Sequence, residues 1–125
     1  MNNLRKIGEQ AFREGRNVTA ALREHLGSDR NTPEAIEVAY DLQAGTYADY
    51  AEGHPDFMVA YARQIAIFLE PHLRAGDVLL DAGTGEMTTL THVLKELSAP
   101  LSKIYASDIS SKRLAIGSNY AARHG

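Results

Sequence analysis

Two carboxylates and two glycines form the group of residues in this sequence whose types and spacing could do chemistry. The apolar run Val78-Leu79-Leu80 ends on Asp81, and the glycine-spaced turn Gly83-Thr84-Gly85 follows. Such a run predicts a parallel strand buried on both faces. Because the glycines lack a Cβ, they let the chain turn sharply and let a ligand approach the main chain closely. The N-terminus of a following helix would complete a crevice for a charged or polar ligand.

A second carboxylate is predicted to face the same crevice. Residues 104–108 read as the next strand, and this strand ends in Asp108. Because the two strand ends of a βαβ unit lie side by side, Asp108 would overhang the glycine turn. A carboxylate in that place can accept two hydrogen bonds from a ribose diol, and Ile109 can lie flat against a purine.

The residue types around the turn discriminate between ligand classes. Asp81 beside the turn disfavours a pyrophosphate, which is also an anion, and favours a ligand that carries an ammonium group. The third glycine of the dinucleotide fingerprint is replaced by Thr88, and the Gly-Lys-Ser/Thr of a P-loop is absent. Each residue also has a structural interpretation, in which Asp81 is an N-cap-like acid for the following helix, the glycines only form a tight turn, and Asp108 caps the helix that starts near Ser110. The conjunction of both acids with both glycines favours a cofactor site.

The segments Asp81-Ala82-Gly83-Thr84-Gly85 and Ser107-Asp108-Ile109 resemble the first two motifs of the class I S-adenosylmethionine-dependent methyltransferases. The first motif of that family is usually acid-x-Gly-x-Gly-x-Gly, and Met87 stands here in place of the last glycine. The resemblance covers about residues 55–125 and implies S-adenosyl-L-methionine as the cofactor. It implies that Asp108 binds the ribose hydroxyls, that Ile109 packs on adenine and that the methionine amino end is held by Asp81, Ala82, Gly83, Thr84 and Gly85.

Residues 1–54 are predicted to form an N-terminal helical segment that caps the binding domain. Helices are expected over residues 3–14, from Asn17 to residue 26, and from Thr32 to residue 50 with an interruption at Gly45. Tyr40, Gln43 and Tyr47 share a stripe of the third helix, and two interpretations stay open for them. They pack the helix on the domain, or they close over the cofactor as a lid, which is the arrangement that the resemblance implies.

Residues 55–125 are predicted to form the first part of an S-adenosylmethionine-binding domain. Its first helix runs over residues 55–69 with a buried stripe at Phe57, Tyr61, Ile65 and Phe68. Further helices are expected from about Glu86 and from residue 110 or 111. The predicted fold class is therefore α/β, with N-terminal helices followed by the first two βα units of a Rossmann-like methyltransferase sheet, truncated.

Composition narrows the function classes. The net charge of −3 over 125 residues argues against nucleic acid as the main partner. The chain has no cysteine, which is compatible with a reducing cytoplasm and leaves no thiolate for a metal or a nucleophile. No apolar run approaches the length that spans a membrane. We therefore expect a cytoplasmic protein with no metal, no nucleic acid and no membrane partner. The helical N-terminus, by analogy with the family that the sequence resembles, implies a small-molecule substrate.

A sheet of two parallel strands leaves one edge of the first strand unpaired and part of its surface uncovered. We therefore expect a fragment of a longer methyltransferase, inactive by itself because the substrate-contacting residues of the family usually follow the fourth strand. Self-association through the exposed strand edge or the uncovered sheet face is a second expectation, which sedimentation over a range of concentrations tests. No catalytic residue can be named.

Two other functions compete with the methyltransferase. An NAD-dependent oxidoreductase fragment would also use Asp108 for a ribose, although Asp81 and the missing third glycine argue against it. A non-catalytic helical interaction module would work through the tyrosine-bearing helix, but it would have no use for Asp81 and Asp108 together.

Overall fold

The protein is mixed α/β, mostly helical, with one small parallel sheet of two strands. This confirms the α/β class, and the computed structural model describes residues 2–125. The helices and strands in chain order are α1 (Asn2–Arg13), α2 (Val18–Leu26), α3 (Pro33–Leu42), α4 (Thr46–Gly53), α5 (Pro55–Leu69), β1 (Val78–Ala82), α6 (Thr88–Glu96), β2 (Lys103–Ser107) and α7 (Ser111–His124). A short 3-10 turn, Glu70–His72, follows α5.

The chain divides into two compact units, Met1–Ala44 and Gly45–Gly125. Helix α4 belongs to the second unit because Ala48 and Ala51 pack in one cluster with Met58 and Tyr120. The sequence-based division into residues 1–54 and 55–125 separates α4 from these partners. The roles of the two segments, cap and binding domain, stay predictions.

The first unit is a bundle of α1, α2 and α3 around small aliphatic side chains such as Ala11, Leu22 and Ala35. Its helix ends confirm the capping signals in the sequence. The Asn17 side chain accepts a hydrogen bond from the main chain of the first turn of α2, and Thr32 does the same for α3. The predicted interruption at Gly45 is also confirmed, since this residue has φ +104° between α3 and α4.

Helix α5 has the predicted bounds but not the predicted buried face. Phe57, Tyr61 and Phe68 are exposed, with Phe68 at 77%. The buried residues are Met58, Ala62 and Ala66, one position away from the predicted stripe. The reason is the packing of α5 on its neighbours: Met58 lies in the cluster that contains Tyr120, and α5 packs closely on α6. Alanine lets two helix backbones approach where aromatic rings would hold them apart.

The sheet pairs β1 and β2 in parallel, with Leu80 opposite Tyr105 and Ala82 opposite Ser107. The prediction that β1 is buried on both faces is wrong. Val78 and Leu80 are 58% and 61% exposed, because within residues 2–125 no element covers that face. The opposite face, at Leu79, is half-buried. Between residues 2 and 125 β1 has β2 as its one neighbour, as expected.

Candidate functional site

The glycine turn is fastened to the end of β2 by main-chain hydrogen bonds. The N–H groups of Gly83 and Thr84 both donate to the carbonyl oxygen of Ser107, at 2.8 and 2.9 Å. Gly83 and Gly85 have φ of +80° and +58°, a left-handed conformation that glycine adopts at little cost. The two segments that the sequence analysis singled out are therefore neighbours at the carboxyl edge of the sheet.

Asp108 is the residue that holds this edge together. Its Oδ2 accepts the Gly85 N–H at 2.9 Å, and its Oδ1 accepts the Ser110 N–H at 2.8 Å. The cap of α7 is Ser110 and not Asp108, since the Ser110 hydroxyl oxygen accepts the Arg113 N–H. A carboxylate offers about four acceptor positions. Asp108 thus has acceptor capacity beyond these two bonds, and Ile109 beside it is 44% exposed.

Asp81 lies at the boundary between the turn and an apolar cleft. Its Oδ2 accepts the Thr84 hydroxyl at 2.7 Å, which orients the carboxylate. The cleft has a volume of about 260 Å³ and is lined by Asp81 and by the apolar or hydroxyl side chains Ile65, Leu69, Leu79, Leu80, Thr89, Leu90 and Val93. Because apolar walls weaken solvent screening, a half-buried carboxylate in this place attracts a cation more strongly than one in water does.

Helix α6 begins at Thr88, two residues later than the sequence pattern predicts. Met87 has φ 54° and is the one non-glycine residue with positive φ in the part of the chain that the structure describes. The left-handed conformation prevents the helix from starting at Glu86. Glu86 therefore belongs to the turn and not to the exposed first turn of a helix.

The predicted lid residues are divided between the two units. Tyr40 and Gln43 belong to the first, where Tyr40 is exposed and Gln43 is the C-cap of α3. Tyr47 belongs to the second, where its ring lies over the Arg113 guanidinium with 4.8 Å from the guanidinium carbon to the ring centre. Closure of these three side chains over a cofactor stays a prediction.

Glu86 and Arg113 are the residues of this region that sequence reasoning missed. Glu86 is 2% exposed, and its two carboxylate oxygens accept the Gly45 N–H at 3.0 Å and the Ala48 N–H at 2.7 Å. Arg113 Nε lies 3.8 Å from Glu86 Oε1. The one signal in the sequence for Glu86 was the position of an acidic residue directly after the glycine turn. The amides that Glu86 binds lie about forty residues earlier in the chain, and local periodicity cannot reveal them.

A second cluster of titratable groups joins α4, α6 and α7 away from the turn. The His92 Nε2 and the Tyr120 hydroxyl are hydrogen-bonded at 2.8 Å, and Tyr120 is 1% exposed. The His124 ring packs on Tyr120, and His124 and Arg123 both donate to Glu52. Burial raises the pKa of Tyr120 and lowers the pKa of His92.

His92 is expected to make the stability of the protein sensitive to pH. Burial, followed by the charges of Lys95 and His124, lowers its pKa in the folded state, while the unfolded value is about 6.5. At a pH between the folded and the unfolded pKa of His92, the unfolded chain binds up to one more proton than the folded chain. The free energy of unfolding is therefore highest above the unfolded pKa, and it decreases as pH falls towards the folded pKa. Thermal unfolding between about pH 5 and pH 8 measures the effect.

The matched variants for that measurement are His92→Gln and His25→Gln. His92→Gln is expected to flatten the dependence of Tm on pH. His25 is an exposed residue of α2, and its replacement is expected to leave the dependence unchanged. Equal slopes for the wild type and His92→Gln would contradict the assignment.

Comparison with protein-family models, with curated proteins and with solved structures finds no significant match to this chain. None of the helices described between residues 2 and 125 combines the length and the apolar character that crossing a bilayer needs. Within the same residues no three side chains of histidine, cysteine, aspartate or glutamate are grouped as a metal site would require.

Proposed function

We propose that the crevice at the carboxyl edge of the sheet binds S-adenosyl-L-methionine, and that the chain is the N-terminal part of a methyltransferase with a Rossmann-like sheet. One observation carries the proposal: Asp108 is bonded to the Gly85 N–H, so an acidic side chain and a glycine turn face one crevice. The acceptor we propose is a small molecule, and the location is the cytoplasm, as the sequence predicts.

The residues of the crevice fit the cofactor by their chemistry. A Cβ added to Gly83 would meet no other atom within 4 Å, so the space beside the turn is open to a ligand. Asp108 has acceptor capacity for the ribose diol, and Ile109 offers an exposed apolar surface for adenine. Asp81, oriented by Thr84, suits the ammonium group of the methionine end.

When bound, S-adenosyl-L-methionine supplies an activated methyl group for transfer to the acceptor. The contribution of this chain is to bind and orient: two carboxylates fix the two ends of the ligand, and the glycine turn allows close approach to the main chain. No side chain in the crevice is assigned as an acid or a base. We therefore propose that the 125-residue chain binds the cofactor without carrying out transfer by itself.

The same geometry admits one competing ligand class. Asp108 would bind the ribose of NAD equally well, because the diol is the same group in both ligands. The two ligands differ beside Asp81, where NAD would place a pyrophosphate. A negative charge next to a half-buried carboxylate is repelled, and an ammonium group is attracted. The charge of Asp81 is therefore the property that a test should vary.

Calorimetric titration of the chain with S-adenosylhomocysteine and with NAD tests the proposal. We expect binding of S-adenosylhomocysteine, weakened about tenfold by Asp81→Asn, because the isosteric amide removes the charge but not the volume. Asp77→Asn makes the same change at the other end of β1 and is expected to have no effect. Binding of NAD alone would favour the oxidoreductase. Binding of neither ligand would contradict cofactor binding by this chain, and would point to a site that needs further strands or to the interaction module.

A further inference from the structure

We propose that Glu86 is a positioning residue that couples the glycine turn to helix α4 and thereby fixes Tyr47 beside the turn. The coupling stands on hydrogen bonds and packing within the second unit. Its consequence for ligand binding rests on the proposed function. Glu86 contributes no group to the ligand and acts through the helix that it holds.

Helix α4 begins without a side-chain cap from its own segment. Its N-cap is Gly45, which has no side chain, and the helix has no cap of its own. The two oxygens of Glu86 accept the N–H groups of Gly45, at the N-cap position, and Ala48, three residues later. These are the two amides that a local capping box satisfies with two side chains. Here one carboxylate from a distant turn satisfies both, and its negative charge also suits the helix N-terminus.

The main chain of Glu86 is restrained on both sides. The preceding residue, Gly85, donates its N–H to Asp108. Gly117 of α7 packs against the main chain of Glu86, because a Cβ added to Gly117 would lie 2.8 Å from the Glu86 carbonyl carbon. The turn therefore cannot shift without carrying the Glu86 carboxylate with it, and the first turn of α4 is bonded to that carboxylate.

Tyr47 lies in the segment of α4 that Glu86 holds. Tyr47 lies between the two capped amides and stacks on Arg113, whose side chain is 8% exposed. One guanidinium nitrogen of Arg113 lies 3.8 Å from the position that a Cβ on Gly85 would occupy. Glu86 holds the main chain on either side of Tyr47, and Arg113 holds the ring itself, so together they fix Tyr47 next to the turn. The ring is 56% exposed, so it remains able to contact a ligand.

The coupling is tested first without any ligand, by amide hydrogen exchange of the 125-residue chain. Glu86→Ala and the milder Glu86→Gln are expected to speed exchange at Gly45 and Ala48 by roughly tenfold to hundredfold, with the amides of α6 unchanged. Glu52→Gln is the matched control, since this carboxylate lies on α4 but bonds to Arg123 and His124 of α7 and not to the amides at the start of α4. Unchanged exchange at Gly45 and Ala48 in folded Glu86→Gln would overturn the proposal.

The second arm adds S-adenosylhomocysteine to the wild type and to Glu86→Gln. In the wild type we expect new protection at residues 83–85 and also at residues 45–48. In Glu86→Gln we expect protection of the turn to persist and protection of α4 to be lost, and an equal gain at α4 in both proteins would refute the coupling. If neither protein gains protection at the turn, the proposed function fails, and the ligand-free arm still decides the role of Glu86.

Discussion

Asp108→Ala is expected to abolish measurable binding of S-adenosylhomocysteine and to lower the free energy of unfolding by about 2–4 kcal/mol. The two effects have one origin. The carboxylate bonds to the N–H groups of Gly85 and Ser110, so its loss leaves two main-chain donors without an acceptor. It also loosens the turn at Gly85, although the bonds to the Ser107 carbonyl oxygen still hold the turn to β2. The same change removes the acceptor for a ribose diol. Calorimetry measures the binding, and urea unfolding measures the stability.

Asp108→Asn separates the structural effect from the binding effect. The amide keeps one oxygen acceptor in the same volume, but its NH2 group faces one of the two main-chain donors. We expect an intermediate loss of stability and a loss of binding close to that of the alanine variant. Asp77→Ala, at the opposite end of β1, removes one bond to the Arg74 N–H and should leave binding unchanged. Full binding by Asp108→Ala would contradict the assignment of this carboxylate.

Gly117→Ala is expected to lower the free energy of unfolding by about 1–3 kcal/mol, because a methyl group has no room at this position. The added Cβ would lie 2.8 Å from the Glu86 carbonyl carbon and 2.8 Å from Met87 Cγ. The side chain of Met87 can move, but the main chain of Glu86 is held by its neighbours. The turn must therefore shift, and we expect weaker ligand binding in addition to the loss of stability. Thermal unfolding and calorimetry measure the two effects.

Gly53→Ala is the matched control for that variant. Gly53 is the last residue of α4, has no positive φ, and a Cβ added there would meet no other atom within 4 Å. The substitution is expected to be neutral or to stabilise the protein by about 0.4–1 kcal/mol, through the smaller entropy of the unfolded chain. If both glycine variants had equal stability, close packing at Gly117 would not be the cause.

Local signals predicted the helix boundaries well because the interactions that set them lie within a few residues. Asn17 and Thr32 cap the helices that directly follow them, and Gly45 interrupts the chain by its own conformation. The proximity of Asp81 and Asp108 was also predictable, because a βαβ connection places the carboxyl ends of two parallel strands side by side.

The errors share a different cause, which is packing between distant segments. The buried face of α5 depends on how closely neighbouring helices approach. Alanines of α5 are buried, and the larger Phe57 and Tyr61 are exposed. A helix was expected to begin at about Glu86, yet this residue belongs to the turn and is buried, because its partners are the amides of α4. Hydrophobic periodicity records which residues prefer burial but not which neighbour is available to bury them.

The left-handed backbone at Met87 shows what the turn needs at this position. Met87 has φ 54°, a conformation that costs a non-glycine residue roughly 1–2 kcal/mol. The constraint is therefore on a dihedral angle and not on side-chain identity. We expect glycine and asparagine to be accepted at position 87 at low cost. Valine, isoleucine and proline are not expected to be accepted there, because their side chains do not tolerate positive φ.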